Sequence, residues 1–111
     1  MSRLGDGTLL RIFISENDRH EGIPLYEWIV RQAREQGLAG ATVLRGIEGF
    51  GPHNTLHTAK ILRLSTDLPV IIEIVDNQEQ IEAFLPTVDA VLGNGVATLE
   101  KVEILFHRTK G

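Results

Sequence analysis

The stretch LPVIIEIVD, Leu68 to Asp76, limits the fold of this chain more than any other. Val70, Ile72 and Ile74 fall on one parity and Ile71 and Val75 on the other, so a strand here is apolar on both faces. Such a strand belongs in the middle of a sheet with both faces covered. The chain has 111 residues, of which 42% are hydrophobic. That is enough for one domain with a single core. The other segments must supply the two covers.

In TLLRIFIS, Leu10, Ile12 and Ile14 alternate with Leu9, Arg11 and Phe13, as in a first strand. Leu25, Trp28, Ile29 and Ala33 recur at helical spacing between Pro24, suited to a first turn, and Gly37, a natural stop. The spacing predicts a helix over 24–36. GATVLRGIEGFG reads as a second strand, with Ala41, Val43 and Ile47 on one face. After the central strand, Asp76 is expected to cap a second helix, with Glu79 answering it three residues later. Ile81, Phe84, Leu85 and Val88 make that helix's apolar stripe, and Pro86 predicts a kink or an early end. VATLEKVEILFH closes the pattern, with Val102, Ile104 and Phe106 expected inward.

The order βαββαβ predicts an α+β, ferredoxin-like fold: four antiparallel strands with two helices on one face. The helix-free face would then present Leu9, Phe13, Leu44, Ile71, Val75, Leu99 and Leu105. A patch of that size is expected to be closed by oligomerisation, as a trimer or a dimer. Residues 1–7 are expected to be flexible, and 52–69 to form one long loop, a length usually tied to function.

The net charge of −4 argues against nucleic acid as a partner. The absence of cysteine removes disulfides, thiol redox centres and cysteine metal sites. No apolar run reaches membrane-spanning length, so neither membrane insertion nor an export signal is expected and a cytoplasmic location follows.

The residues between Arg45 and Lys60, RGIEGFGPHNTLHTAK, support several readings. Gly46, Gly49 and Gly51 allow close backbone approach and an amide nest for an anion, and Gly93, Asn94 and Gly95 offer the same before the last strand. Arg45, Lys60, Arg63, Lys101, Arg108 and Lys110 are the available cations. His53 and His57, four apart, are half of a divalent-metal site, with His20, His107 or a carboxylate needed to complete it. Glycines at strand ends also serve ordinary turns, and loop histidines are commonly just solvated. ENDRHE groups His20 with acids, but no nucleophile has an adjacent base, so an enzyme is not expected.

ATVLRGIEGFGPHNTLHTAK resembles the second strand and loop entry of PII signalling proteins, and GNGVATLEKVEIL resembles the opening of their last strand. From Leu9 to Phe106 the chain is more closely similar to a family of small PII-like proteins classed as a domain of unknown function. The resemblance implies a homotrimer that binds a small anionic effector, often an adenine nucleotide, between subunits. It further implies that the 52–69 loop signals to a transporter or enzyme partner. Gly49, Phe50 and Gly51 would lie beside the phosphates, and Gly93 and Gly95 would match the glycine pair of the opposing subunit. PII proteins follow that pair with a phosphate-binding lysine, where this chain has Val96, so Arg45, Arg108 or Lys110 would have to supply the charge. Divalent-cation-tolerance relatives of PII suggest the metal alternative at His53 and His57.

Overall fold

The computed structural model describes residues 5–50, 57–58 and 68–110. The four long strands are β1 (Gly5–Ser15), β4 (Thr42–Arg45), β7 (Pro69–Asp76) and β8 (Val96–Ile104). They form one antiparallel sheet in the order β4-β7-β1-β8. Two helices, α1 (Leu25–Glu35) and α2 (Gln78–Val91), complete the ferredoxin-like α+β fold. Short pairs decorate it: β2 (Arg19–His20) with β3 (Ile23–Pro24), and β5 (Glu48–Gly49) with β6 (His57–Thr58).

The core follows from strand parity. Leu10, Ile12 and Ile14 of β1 and Val70, Ile72 and Ile74 of β7 share one face and pack on Leu25, Ile29, Ala33, Ile81, Phe84 and Val88. Both helices therefore lie on that face. Burying each large side chain in this set stabilises the domain by about 1.5–3 kcal/mol. Helix α1 ends where glycine permits: Gly37 has φ +81°, its N–H donates to the Arg34 carbonyl, and the Leu38 N–H donates to the Ala33 carbonyl.

Several expectations need correction. β1 begins at Gly5, so residues 5–7 belong to the sheet, where Gly7 pairs with Val102. The α2 cap is Asn77, whose side chain accepts from the Gln80 N–H at 2.8 Å. Asp76 instead ends β7 and ties two loops together. Its carboxylate accepts from the Ala39 N–H at 2.9 Å and the Asn77 N–H at 2.7 Å. Pro86 does not end α2, which continues to Val91. Ile47 lies beyond β4 and is 76% exposed.

Val102 and Ile104 of β8 fall on the helix-free face rather than the helix side, and Leu99, on the helix side, is still 50% exposed. Leu99 pairs with Leu10 on the helix side, whereas Val102 pairs with Gly7 on the helix-free side. Leu105 and Phe106 lie past the strand end. Residues 99 and 102 differ by three, so no straight strand can point both inward, and only the register decides between them.

The helix-free face is banded rather than uniformly apolar. Cross-strand pairing lines up Leu44, Ile71, Phe13 and Val96 as one apolar row. The next row is Thr42, Glu73, Arg11 and Thr98. In it Arg11 bridges Glu73 at 2.9 Å and Glu100 at 3.0 Å. The Glu73 hydrogen bond is the main cause of an Arg11 pKa raised above its ordinary value. Leu9 and Val75 pair beyond it, so a charged band crosses an otherwise apolar surface.

Candidate functional site

The two glycine clusters lie at the same end of the sheet. Arg45 pairs with Val70, Ile14 with Val70, and Phe13 with Val96, so β4 ends, β7 starts, β1 ends and β8 starts together. Backbone bonds hold the junction. The Gly46 N–H donates to the Pro69 carbonyl at 2.7 Å, and the Glu16 N–H donates to the Leu68 carbonyl at 2.8 Å.

At the β4 edge, Arg45 presents its guanidinium to solvent, 65% exposed, while one nitrogen contacts the Glu16 carboxylate at 3.2 Å. The Glu16 side chain is only 8% exposed. Nothing in the sequence pattern marks Glu16. Gly46 and Gly49 both pack on Pro69, whose Cγ would lie 2.9 Å and 3.2 Å from a Cβ at those positions. Phe50 follows, 65% exposed.

At the β8 edge, Gly95 passes so near β1 that a Cβ would lie 2.5 Å from the Phe13 carbonyl oxygen. Gly93 differs: a Cβ there would meet nothing within 4 Å. Among the described residues, nothing gives a steric reason for glycine at that position. Asn94 is exposed beside it.

The clusters share an end but not an edge. Three inter-strand steps of ~4.8 Å separate them, about 14 Å across β7 and β1. In one copy the two glycine clusters therefore stand on opposite edges of the sheet.

The other candidates fall elsewhere. Arg108 follows the far end of β8, a strand of about 27 Å, and stacks on Phe106 at 4.6 Å. Lys101 is on the same far half, lining a groove with Asp6, Thr8 and Gln78. The chain does not bring these cations to its own glycines; among the described residues, Arg45 is the named cation that stands at the glycine end. A recess of about 420 Å³ at that far end is lined by Asp6, Val75, Asp76, Ile104, Phe106 and His107. His20 meets Trp28 edge-on with ring centroids 4.5 Å apart, and lies 3.5 Å from Glu21. In the same loop Asp18 accepts from the Ser15 N–H at 3.0 Å, a turn-holding role.

Gly51, His53, Lys60 and Arg63 lie outside the described residues, and most of the 52–69 segment with them. His57 is described in its backbone, which pairs with Gly49 in β6. Among the described residues, no group of three His, Asp or Glu side chains could hold a metal ion. Also among them, no helix is long and apolar enough to cross a membrane.

Comparison with known proteins places the family and the fold. The DUF190 family model, described as "Uncharacterized ACR", matches residues 7–104. A UPF0166 protein of Aquifex aeolicus is 43% identical over 98 residues, covering 88% of this chain and 92% of the relative. A UPF0166 protein of Methanocaldococcus jannaschii is 41% identical over 86 residues, covering 78% and 79%. Among solved structures, CPII of Thiomonas intermedia K12, bound to ADP and bicarbonate, superposes with a TM-score of 0.69 at 14% identity, covering 91% of this chain and 90% of CPII. The GlnK–ATP complex of B. subtilis superposes at 0.57 with 12% identity, covering 87% and 82%. These structures carry the fold, and the sequence relatives carry the family. The chain belongs to the DUF190 (UPF0166) family, and its fold is that of the PII-like proteins.

Proposed function

We propose that this chain is a PII-like regulatory protein whose binding site for an adenine nucleotide is completed between copies, most simply in a homotrimer. The observation that carries the reading is the placement of two glycine-bearing half-sites at one end of the sheet but on opposite edges. A cyclic assembly sets one edge of each copy against the other edge of the next, turning two half-sites into one cleft. Gly93 supports it, since a glycine without a steric reason among the described residues fits close approach by a ligand or neighbour. The banded helix-free face supports assembly too: Phe13, Leu44, Val75 and Val96 are each 38–51% exposed there.

In the cleft, Arg45 would meet the phosphates in place of the lysine that Val96 replaces, with Gly49 and Phe50 beside it and Gly93, Asn94 and Gly95 opposite. The solved proteins of this fold bound to ADP, AMP and bicarbonate or to ATP make adenine nucleotides the first effectors to try. The chain between Phe50 and Leu68 would carry the ligand state to a protein partner. Its two ends are rooted at Gly46–Pro69 and Glu16–Leu68, beside Arg45. A ligand shifts such an equilibrium only by its differential affinity for the two states.

The test is thermal unfolding of the purified protein with AMP, ADP, ATP and divalent metals, each repeated with chelator. A nucleotide at a hundred times its dissociation constant stabilises the folded state by about 2.7 kcal/mol, a shift of several degrees. We expect a chelator-insensitive rise with an adenine nucleotide. A rise with metal alone moves the reading to the histidines, and no rise with any nucleotide contradicts it.

A further inference from the structure

We infer that Glu16 is a built-in anion that occupies Arg45 and thereby sets how strongly, and for which anions, this end of the sheet binds. The inference rests on the reading of Arg45 as the ligand cation. The two side chains meet at 3.2 Å but in opposite environments: Glu16 is 8% exposed and Arg45 is 65% exposed. The main chain beside both is tied down, the Glu16 N–H to the Leu68 carbonyl and the Gly46 N–H to that of Pro69. A sheltered carboxylate thus sits beside a solvent-facing guanidinium.

The consequence is electrostatic. The pair is net neutral, so an incoming anion meets an arginine whose charge is already offset from below. To take Arg45 fully, the ligand must draw it from a carboxylate that would be left buried and unpaired, which is unfavourable. To share it, the ligand must accept the repulsion of Glu16 at short range. A small anion bound through Arg45 alone therefore binds poorly. A nucleoside di- or triphosphate, with several negative oxygens and a base and ribose to add contacts, overcomes the same opposition. Glu16 is in this sense a specificity-determining residue that works against ligand affinity, whereas a merely structural carboxylate would leave affinity unchanged or support it.

The experiment is calorimetric titration of ADP and of pyrophosphate into wild type, Glu16→Gln, Arg45→Ala and the double variant, with oligomeric state measured on each. We expect Glu16→Gln to bind ADP roughly tenfold more tightly and pyrophosphate to gain at least as much, as removal of a close like charge requires. The double variant should match Arg45→Ala within about twofold, because Glu16 acts through Arg45. Glu16→Leu, which fills the buried space without charge, should tighten binding as well and serves if the glutamine variant does not fold. Wild-type ADP binding with no tightening in either Glu16 variant overturns this inference and leaves the nucleotide reading intact. Tightening that survives in the Arg45→Ala background also overturns it. Tightening through Arg45 in variants that are monomeric upholds the inference and contradicts the inter-copy site. Failure of all four proteins to bind either ligand overturns both.

Discussion

If copies assemble as proposed, Phe13→Asp is expected to yield monomers that no longer bind nucleotide while the subunit stays folded. Phe13 stands on the helix-free face in the row with Leu44, Ile71 and Val96, and is 38% exposed in the single chain. In the subunit, a carboxylate at this position keeps contact with water, so the domain loses little beyond the partial burial of the ring, about 1–2 kcal/mol. In the assembly, the same carboxylate is desolvated against another apolar row with no partner. That costs about 3 kcal/mol or more at each copy, enough to dissociate most oligomers at micromolar concentration. Light scattering and circular dichroism check the two halves of the claim. An intact oligomer, or a monomer that still binds ADP, would refute the assignment of this face and of the shared site.

The second large effect is at Gly95. Alanine there puts a Cβ 2.5 Å from the Phe13 carbonyl oxygen, at a φ of +154° that side chains rarely adopt. The obstacle is backbone at the last pair of the β1–β8 ladder, Phe13 with Val96, and not the far end of a flexible side chain. The expected loss is about 2–4 kcal/mol, from the strained conformation and the forced displacement together. Gly93→Ala, two residues away, is the matched control: with nothing within 4 Å, its stability should stay within ~0.5 kcal/mol of wild type. Its nucleotide affinity should nevertheless fall. Urea denaturation distinguishes the two. Equal stabilities for both variants would show that the β8 entrance is not held as described.

The fold was legible because its signals are redundant. The doubly apolar run at 68–76, the helical spacing of Leu25, Ile29 and Ala33, and Gly37 at a positive φ each point the same way. Expectations slipped where two residues were equally eligible. Asp76 and Asn77 are both good caps, and β7 runs one residue further than hydrophobicity requires, so Asn77 caps. Leu99 and Val102 both qualify for the core of β8, but they stand on opposite parities. Pro86 is exposed on α2, where packing of Phe84 and Val88 outweighs one missing backbone bond.

The site was legible only in its glycines and Arg45. Two of its features have no sequence signature. The Glu16–Arg45 contact joins the ends of β1 and β4, which only the folded chain brings together. The separation of the clusters onto opposite edges follows from strand order, which no local pattern encodes. Strand order also removes Arg108, stacked on Phe106 at the far end, from the same chain's glycines.

Mixing two defective proteins tests the central claim most directly. Arg45→Ala weakens one half-site and Gly93→Asp the other, so each alone should bind ADP far more weakly than wild type. If every cleft takes Arg45 from one copy and Gly93 from the next, subunits mixed and reassembled at random restore about a quarter of the sites. Calorimetry of the mixture should then recover ADP binding at that stoichiometry with wild-type affinity. A mixture as inactive as its components would contradict the account, since sites built within single chains cannot be rescued by exchange.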